Sequence, residues 1–166
     1  RAFEIAKIEY KHNVKSTFFF QVFSSAYNSL SPINKNMIMR IKDLGHDIGL
    51  HLYVTNLENG DWSKLHKEMD IQKTIFEKGL EMDCNIFSCH RPPKWFLENR
   101  NDQINGLINA YGRSFFEFSS NPKDIIYLSD SQHKWAYGHP LDKNNFSKLQ
   151  ILLHPDEWSS KGDSSE

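Results

Sequence analysis

The chain has 166 residues, which is the size of one domain, and 39% of them are apolar, enough to bury a core. Its 20 basic and 21 acidic residues give a net charge of −1. No long run of like charge occurs, so neither a nucleic acid nor an anionic membrane surface is indicated as a partner, and no apolar stretch approaches the roughly 20 residues that a membrane span requires.

The first half of the chain alternates helical and strand patterns. Its predicted elements are a helix over Ala2–Lys11, a strand over Ser16–Phe20, a helix from Pro32 to Gly45, a strand over Asp47–Leu52 and a helix from Asp61 to Gly79. Ser31 before Pro32 is a good start signal for a helix, and Gly45 is a good stop signal.

The second half continues with shorter elements. The sequence predicts strands over Asn85–Cys89, Ser114–Phe118, Ile125–Leu128 and Gln150–Leu153, a mostly helical segment over Trp95–Tyr111, and a flexible tail over Ser159–Glu166. Strands alternating with helices predict a parallel α/β sheet, and closure into a barrel would cover both of its faces. The folded domain is expected to span residues 1–158.

Cys84 and Cys89 lie five residues apart in an apolar segment. On a strand their side chains would point to opposite faces, so a disulfide between them is not expected. Two free, buried thiols are typical of a reducing compartment, which favours a cytoplasmic location.

Polar side chains follow the ends of several predicted strands, where parallel α/β folds place their reactive groups. A lone histidine is more often structural than catalytic. Three of the eight histidines stand at strand ends, however, beside an arginine and an aspartate. We therefore expect one rim of the sheet to collect His51, His90, Asp130 and His154.

The ordered segments STFFF, GHDIGLH, HRPP, LSDSQHKW and ILLHPDEW resemble the polysaccharide-deacetylase (NodB-homology, carbohydrate esterase family 4) superfamily. The resemblance covers nearly the whole chain, from about residue 1 to residue 158, and is specific as an ordered set. It implies a distorted (β/α) barrel and a metal-dependent hydrolase that removes N-acetyl or O-acetyl groups. The implied substrate is an acetylated polysaccharide or its lipid-linked sugar precursor.

The resemblance also implies roles for individual residues. His51 matches the first metal-binding histidine, and Arg91 matches the arginine that orients a catalytic aspartate. Asp130 matches the support of His154, which in turn matches the general acid that protonates the leaving group. The substrate-binding residues that it implies are Pro92, Trp135 and Trp158.

Two departures from the family pattern bear on activity. The strand that carries an Asp-Asp pair, expected just before Ala2–Lys11, is absent, so the barrel is expected to be incomplete at its N-terminus and the fragment inactive. Its absence also predicts an unpaired edge at Ser16–Phe20. The second metal histidine should follow His51 by four residues, where Thr55 stands. His90 is the substitute that we expect in a site for a divalent metal, with zinc favoured by its imidazole and carboxylate ligands.

A second hypothesis is a catalytically inactive barrel that serves as a carbohydrate-binding or interaction module. Thr55 and the missing aspartates favour this alternative. The retained Arg91, Asp130 and His154 favour an enzyme, because an inactive site has no reason to keep an acid and its supports.

Overall fold

A computed structural model describes residues 1–99, 101–115, 125–143 and 148–155. Its helices are α1 (Ala2–Lys11), α2 (Pro32–Asp43), α3 (Trp62–Leu80) and α4 (Lys94–Glu98). Its strands are β1 (Thr17–Phe20), β2 (Asp47–Leu52), β3 (Ile86–Cys89), β4 (Gln103–Ile104), β5 (Leu107–Asn109), β6 (Ile125–Ser129) and β7 (Lys148–Leu152). Short 3₁₀ turns occupy Ser131–His133 and Pro140–Asp142.

The described strands form two sheets. The larger has the order β1-β2-β3-β5-β4 and is parallel except for the antiparallel pair β4 and β5. The smaller consists of the parallel strands β6 and β7. Gln150 on β7 links the sheets, because its Nε2 donates a hydrogen bond of 2.8 Å to the backbone oxygen of Ala110. The α/β class is confirmed, and barrel closure stays a prediction.

Helix caps and apolar stripes account for the two long helices on the larger sheet. Ser31 Oγ accepts a hydrogen bond from the Asn34 N–H at the start of α2, and Asp61 Oδ1 accepts one from the Lys64 N–H at the start of α3. The start signal at Ser31 is therefore confirmed, and Asp61 caps α3 in the same way. The side chains that these helices bury in the core are Ile38, Ile41, Leu65, Met69, Phe76 and Leu80.

Gly79 was predicted to end α3, and this is wrong. The helix continues to Leu80 and is capped by Glu81 in the left-handed conformation, with a φ of 57°. A Cβ on Gly79 would lie 2.6 Å from Leu30 Cδ2. The glycine is thus required by the close packing of Leu30 against the helix and not by a turn.

The helical prediction for Trp95–Tyr111 is wrong beyond the short helix α4. The segment turns into the hairpin of β4 and β5, because Asn105 and Gly106 both adopt positive φ angles, of 52° and 77°. An Asn-Gly dipeptide between apolar residues is a strong hairpin signal. The strand predicted over Ser114–Phe118 begins in a turn and otherwise lies outside the described residues.

Three further observations concern the described part of the chain. Strand β1 is at the end of the strand order and pairs with β2 alone. Cys84 and Cys89 are free and buried. No described helix has the length and apolar character that crossing a bilayer would need.

Gly49 on β2 provides a test of the packing between neighbouring strands. A Cβ at this position would lie 2.7 Å from Cδ1 and Cε1 of Phe19 and 3.0 Å from Cγ2 of Ile86. We expect Gly49→Ala to lower the free energy of unfolding by about 1–3 kcal/mol, because the added methyl overpacks a filled space. Urea denaturation measures this difference.

The Phe19→Ala variant is the control background, since it removes the ring that the methyl would meet. Most of the Gly49→Ala penalty should vanish there. An undiminished penalty in the Phe19→Ala background would contradict the packing described here.

Candidate functional site

The register of β2 and β3 positions the first histidine. His51 on β2 is the direct neighbour of Ser88 on β3. Ser88 is 5% exposed, and its Oγ lies 2.7 Å from His51 Nδ1. This contact fixes one edge of the imidazole and leaves Nε2 facing the rim. The sequence did not single out Ser88, although a hydroxyl inside the apolar strand was the available signal.

His90 completes a pair with His51. Its backbone N–H donates a hydrogen bond of 2.7 Å to the oxygen of Leu52, which carries the ladder between β2 and β3 one residue further. The Nδ1 atom of His90 then lies 3.3 Å from His51 Nε2, and the two rings meet edge to face. Thr55, which stands at the family's second metal position, is exposed. The structure therefore places His90 beside His51.

Asp130 and His154 form a second pair, as the sequence predicted. His154 Nδ1 lies 2.7 Å from Asp130 Oδ1, and the His154 backbone N–H also donates to this carboxylate. Asp130 is only 4% exposed. A buried carboxylate needs such donors, because burial without them would be costly. The contact orients the imidazole of His154, whose side chain remains 37% exposed.

The two pairs converge, although they belong to different sheets. Burial, and then the charges of His90 and His154, lower the pKa of His51 to about 4. Burial, and then the charges of Arg91 and His154, lower the pKa of His90. Three imidazoles thus lie within electrostatic reach of one another at one rim. His51 is neutral at pH 7, so its lone pair is available to a metal.

The distance of 3.3 Å between His51 Nε2 and His90 Nδ1 is compatible with two ligands of one zinc ion. Two nitrogens bound at 2.0–2.1 Å with tetrahedral angles lie about 3.4 Å apart, close to the separation of their facing atoms. The Ser88 contact is the kind of outer partner that orients a ligating histidine. In residues 1–99, 101–115, 125–143 and 148–155, no group of three His, Cys, Asp or Glu side chains could hold a metal. Among the described residues, no third side chain of these types is grouped with His51 and His90.

The remaining predicted residues lie around this rim or outside the described ranges. Arg91 is exposed and has a φ of 49°, an unusual conformation before a proline, and forms no ion pair with another described residue. Pro92 is half-buried. Trp135 is half-buried, and its ring meets His139 at a centroid distance of 5.2 Å. Trp158 lies outside the described residues. The binding and catalytic roles of these residues stay predictions.

Comparison with known proteins bears on the fold. No family model matches the sequence. A crystal structure of a mutant of a CE4 family pseudoenzyme, with restored enzymatic activity, matches 91% of this chain at 16% identity, with a TM-score of 0.55. The chain shares its fold with this CE4 family protein. The resemblance is thereby confirmed for the fold alone. The chain spans 50% of the length of the chain in that structure.

The low pKa of His51 makes the metal-free protein sensitive to acid. The unfolded chain takes up a proton at this side chain near pH 6.5, whereas the folded chain does so only near pH 4. Stability should therefore be complete above pH 6.5 and fall by up to about 3 kcal/mol between pH 6.5 and pH 4. Urea denaturation across this range measures the loss.

The His51→Gln variant removes the titrating group and should flatten this part of the stability profile. An NMR titration of the His51 ring gives the pKa directly. A midpoint near 6.5 in the folded protein would contradict the buried position of this side chain.

Proposed function

We propose that the chain carries the histidine half of a metal-dependent deacetylase site, which hydrolyses N-acetyl or O-acetyl groups of a polysaccharide or its glycan precursor. The observation that supports this best is the placement of a histidine–histidine pair and an aspartate–histidine pair at one rim. His51 and His90 face each other at a ligand-to-ligand distance, and His154 is held by Asp130. The CE4-type fold agrees with this reading.

His51 Nε2 and His90 Nδ1 would hold a divalent metal, which the ligand chemistry favours as zinc. A bound metal of this kind polarises the acetyl carbonyl and lowers the pKa of its water. The lowered pKa values of both histidines keep protons from competing for these nitrogens. The third ligand would be a carboxylate, as the family resemblance implies.

His154 would act as the general acid. With Nδ1 engaged by Asp130, its Nε2 is the atom that can hold a proton for the leaving group, an amine or an alcohol. The buried carboxylate of Asp130 stabilises the charged imidazole and fixes its orientation. His51 cannot take this role, because its pKa of about 4 leaves it without a proton at neutral pH.

The glycan would lie across the same rim. Trp135 and Pro92 are both half-buried, so each keeps a surface that a sugar ring could contact. Arg91 would pair with the carboxylate of a catalytic aspartate, since a guanidinium suits a bidentate contact and does not donate a proton. Trp158 is proposed as a further sugar contact on the resemblance alone.

Replacing His154 tests this assignment of roles. In the full-length protein, we expect His154→Ala to reduce the rate of acetate release from acetylated glycans by roughly 10²–10⁴-fold, because a positioned general acid contributes a rate enhancement of this size. Its zinc content, measured by atomic absorption, should stay unchanged. The matched control is His12→Ala, an exposed histidine that follows α1, which should alter neither quantity.

Two outcomes would overturn the proposal. Loss of zinc in His154→Ala would make His154 a ligand and not the acid. Glycan binding without acetate release by the unaltered protein, on both N-acetylated and O-acetylated substrates, would instead establish the inactive carbohydrate-binding barrel.

A further inference from the structure

Gln72 is a polar side chain buried in the core. It lies on α3 between the apolar residues Met69 and Phe76, and it is 0% exposed. Burying an amide without partners would cost several kcal/mol, roughly 2–7 by transfer measurements. An apolar residue of similar size would fill the space without this demand. The amide therefore has a specific structural use.

Both ends of the Gln72 amide bind the backbone of one residue, Tyr53. The Oε1 atom accepts a hydrogen bond of 3.1 Å from the Tyr53 N–H, and Nε2 donates one of 2.7 Å to the Tyr53 oxygen. In a sheet, a neighbouring strand would form this same pair of hydrogen bonds with the backbone N–H and oxygen of one residue. The side chain of Gln72 thus acts as a substitute strand at a single position.

Tyr53 needs this substitute because the sheet ladder stops just before it. The register of β2 and β3 ends with Leu52 opposite Cys89, and the Leu52 oxygen then accepts from His90. Tyr53 is the next residue along the chain. Gln72 fixes the direction of the backbone where the strand hydrogen bonds end.

The ring of Tyr53 packs against the imidazole of His90. Its centroid lies 5.1 Å from that of His90, edge to face, and the His90 ring in turn meets His51 at 5.3 Å. The imidazole of His90 is therefore held between two rings. Tyr53 is 37% exposed, so burial alone does not fix its ring, and its anchored backbone becomes important.

We propose that Gln72 is a positioning residue for the histidine pair: it fixes the backbone of Tyr53, whose ring keeps His90 Nδ1 facing His51 Nε2. The positioning itself is a property of the metal-free protein. Its consequence for metal binding rests on the proposed function.

The Gln72→Met variant tests this proposal, since methionine has a similar side-chain volume and cannot form the two hydrogen bonds to the Tyr53 backbone. The matched control is Asn109→Leu on β5. Asn109 is likewise 0% exposed, and its amide donates to the Asn101 oxygen and accepts from the Tyr111 N–H. Both variants should lower the thermal midpoint, which shows how much each buried amide contributes to stability.

Only Gln72→Met should change the histidine pair. In the metal-free protein, we expect the ring-current shift that Tyr53 imposes on the imidazole protons of His90 to collapse in this variant and to persist in Asn109→Leu. Zinc affinity, measured by isothermal titration, should fall about 10- to 100-fold in Gln72→Met and stay unchanged in the control.

Tyr53→Ala provides a second variant that retains the Gln72 side chain. It should weaken zinc binding to a similar degree, and adding Gln72→Met should then cause little further loss, because both act through the same ring. Equal effects of Gln72→Met and Asn109→Leu on the His90 resonances would overturn the proposal. If the unaltered protein bound no zinc, the proposed function would fail, while the NMR comparison would still decide the role of Gln72.

Discussion

The site depends first on the register between β2 and β3. In this register His51 pairs with Ser88, and Leu52 pairs with Cys89. The imidazole of His51 therefore faces the rim, and His90 lies immediately after the last ladder pair. A slip of one residue would turn His51 to the opposite face of the sheet. The buried apolar faces of both strands prevent such a slip, so the core that stabilises the fold also sets the distance between the two histidines.

Electrostatics divides the three converging histidines into two kinds. His51 and His90 lie near other positive groups and are partly removed from water, so the pKa of each is lowered. His154 instead faces the carboxylate of Asp130. We propose that burial suits His51 and His90 to ligation, while the carboxylate of Asp130 suits His154 to carry a proton.

Much of this arrangement follows from the sequence. The strand Asp47–Leu52 was predicted with its observed bounds, and the rule that polar residues gather at the ends of parallel strands predicted the contact between Asp130 and His154. The hairpin around Asn105 and Gly106 was missed, because the spacing of nearby apolar residues suggested a helix. Gln72 could not be identified from sequence alone, since its partner is a backbone that only the folded ladder leaves unpaired.

We propose above all that His51 and His90 hold one metal ion together. Crystals of the full-length protein grown with zinc would test this. Anomalous scattering measured at the zinc absorption edge locates the bound ion. We expect one anomalous-difference peak at about 2.0–2.1 Å from both His51 Nε2 and His90 Nδ1. A zinc ion bound by His51 and Thr55, with His90 turned away, or the absence of zinc at this rim, would contradict it.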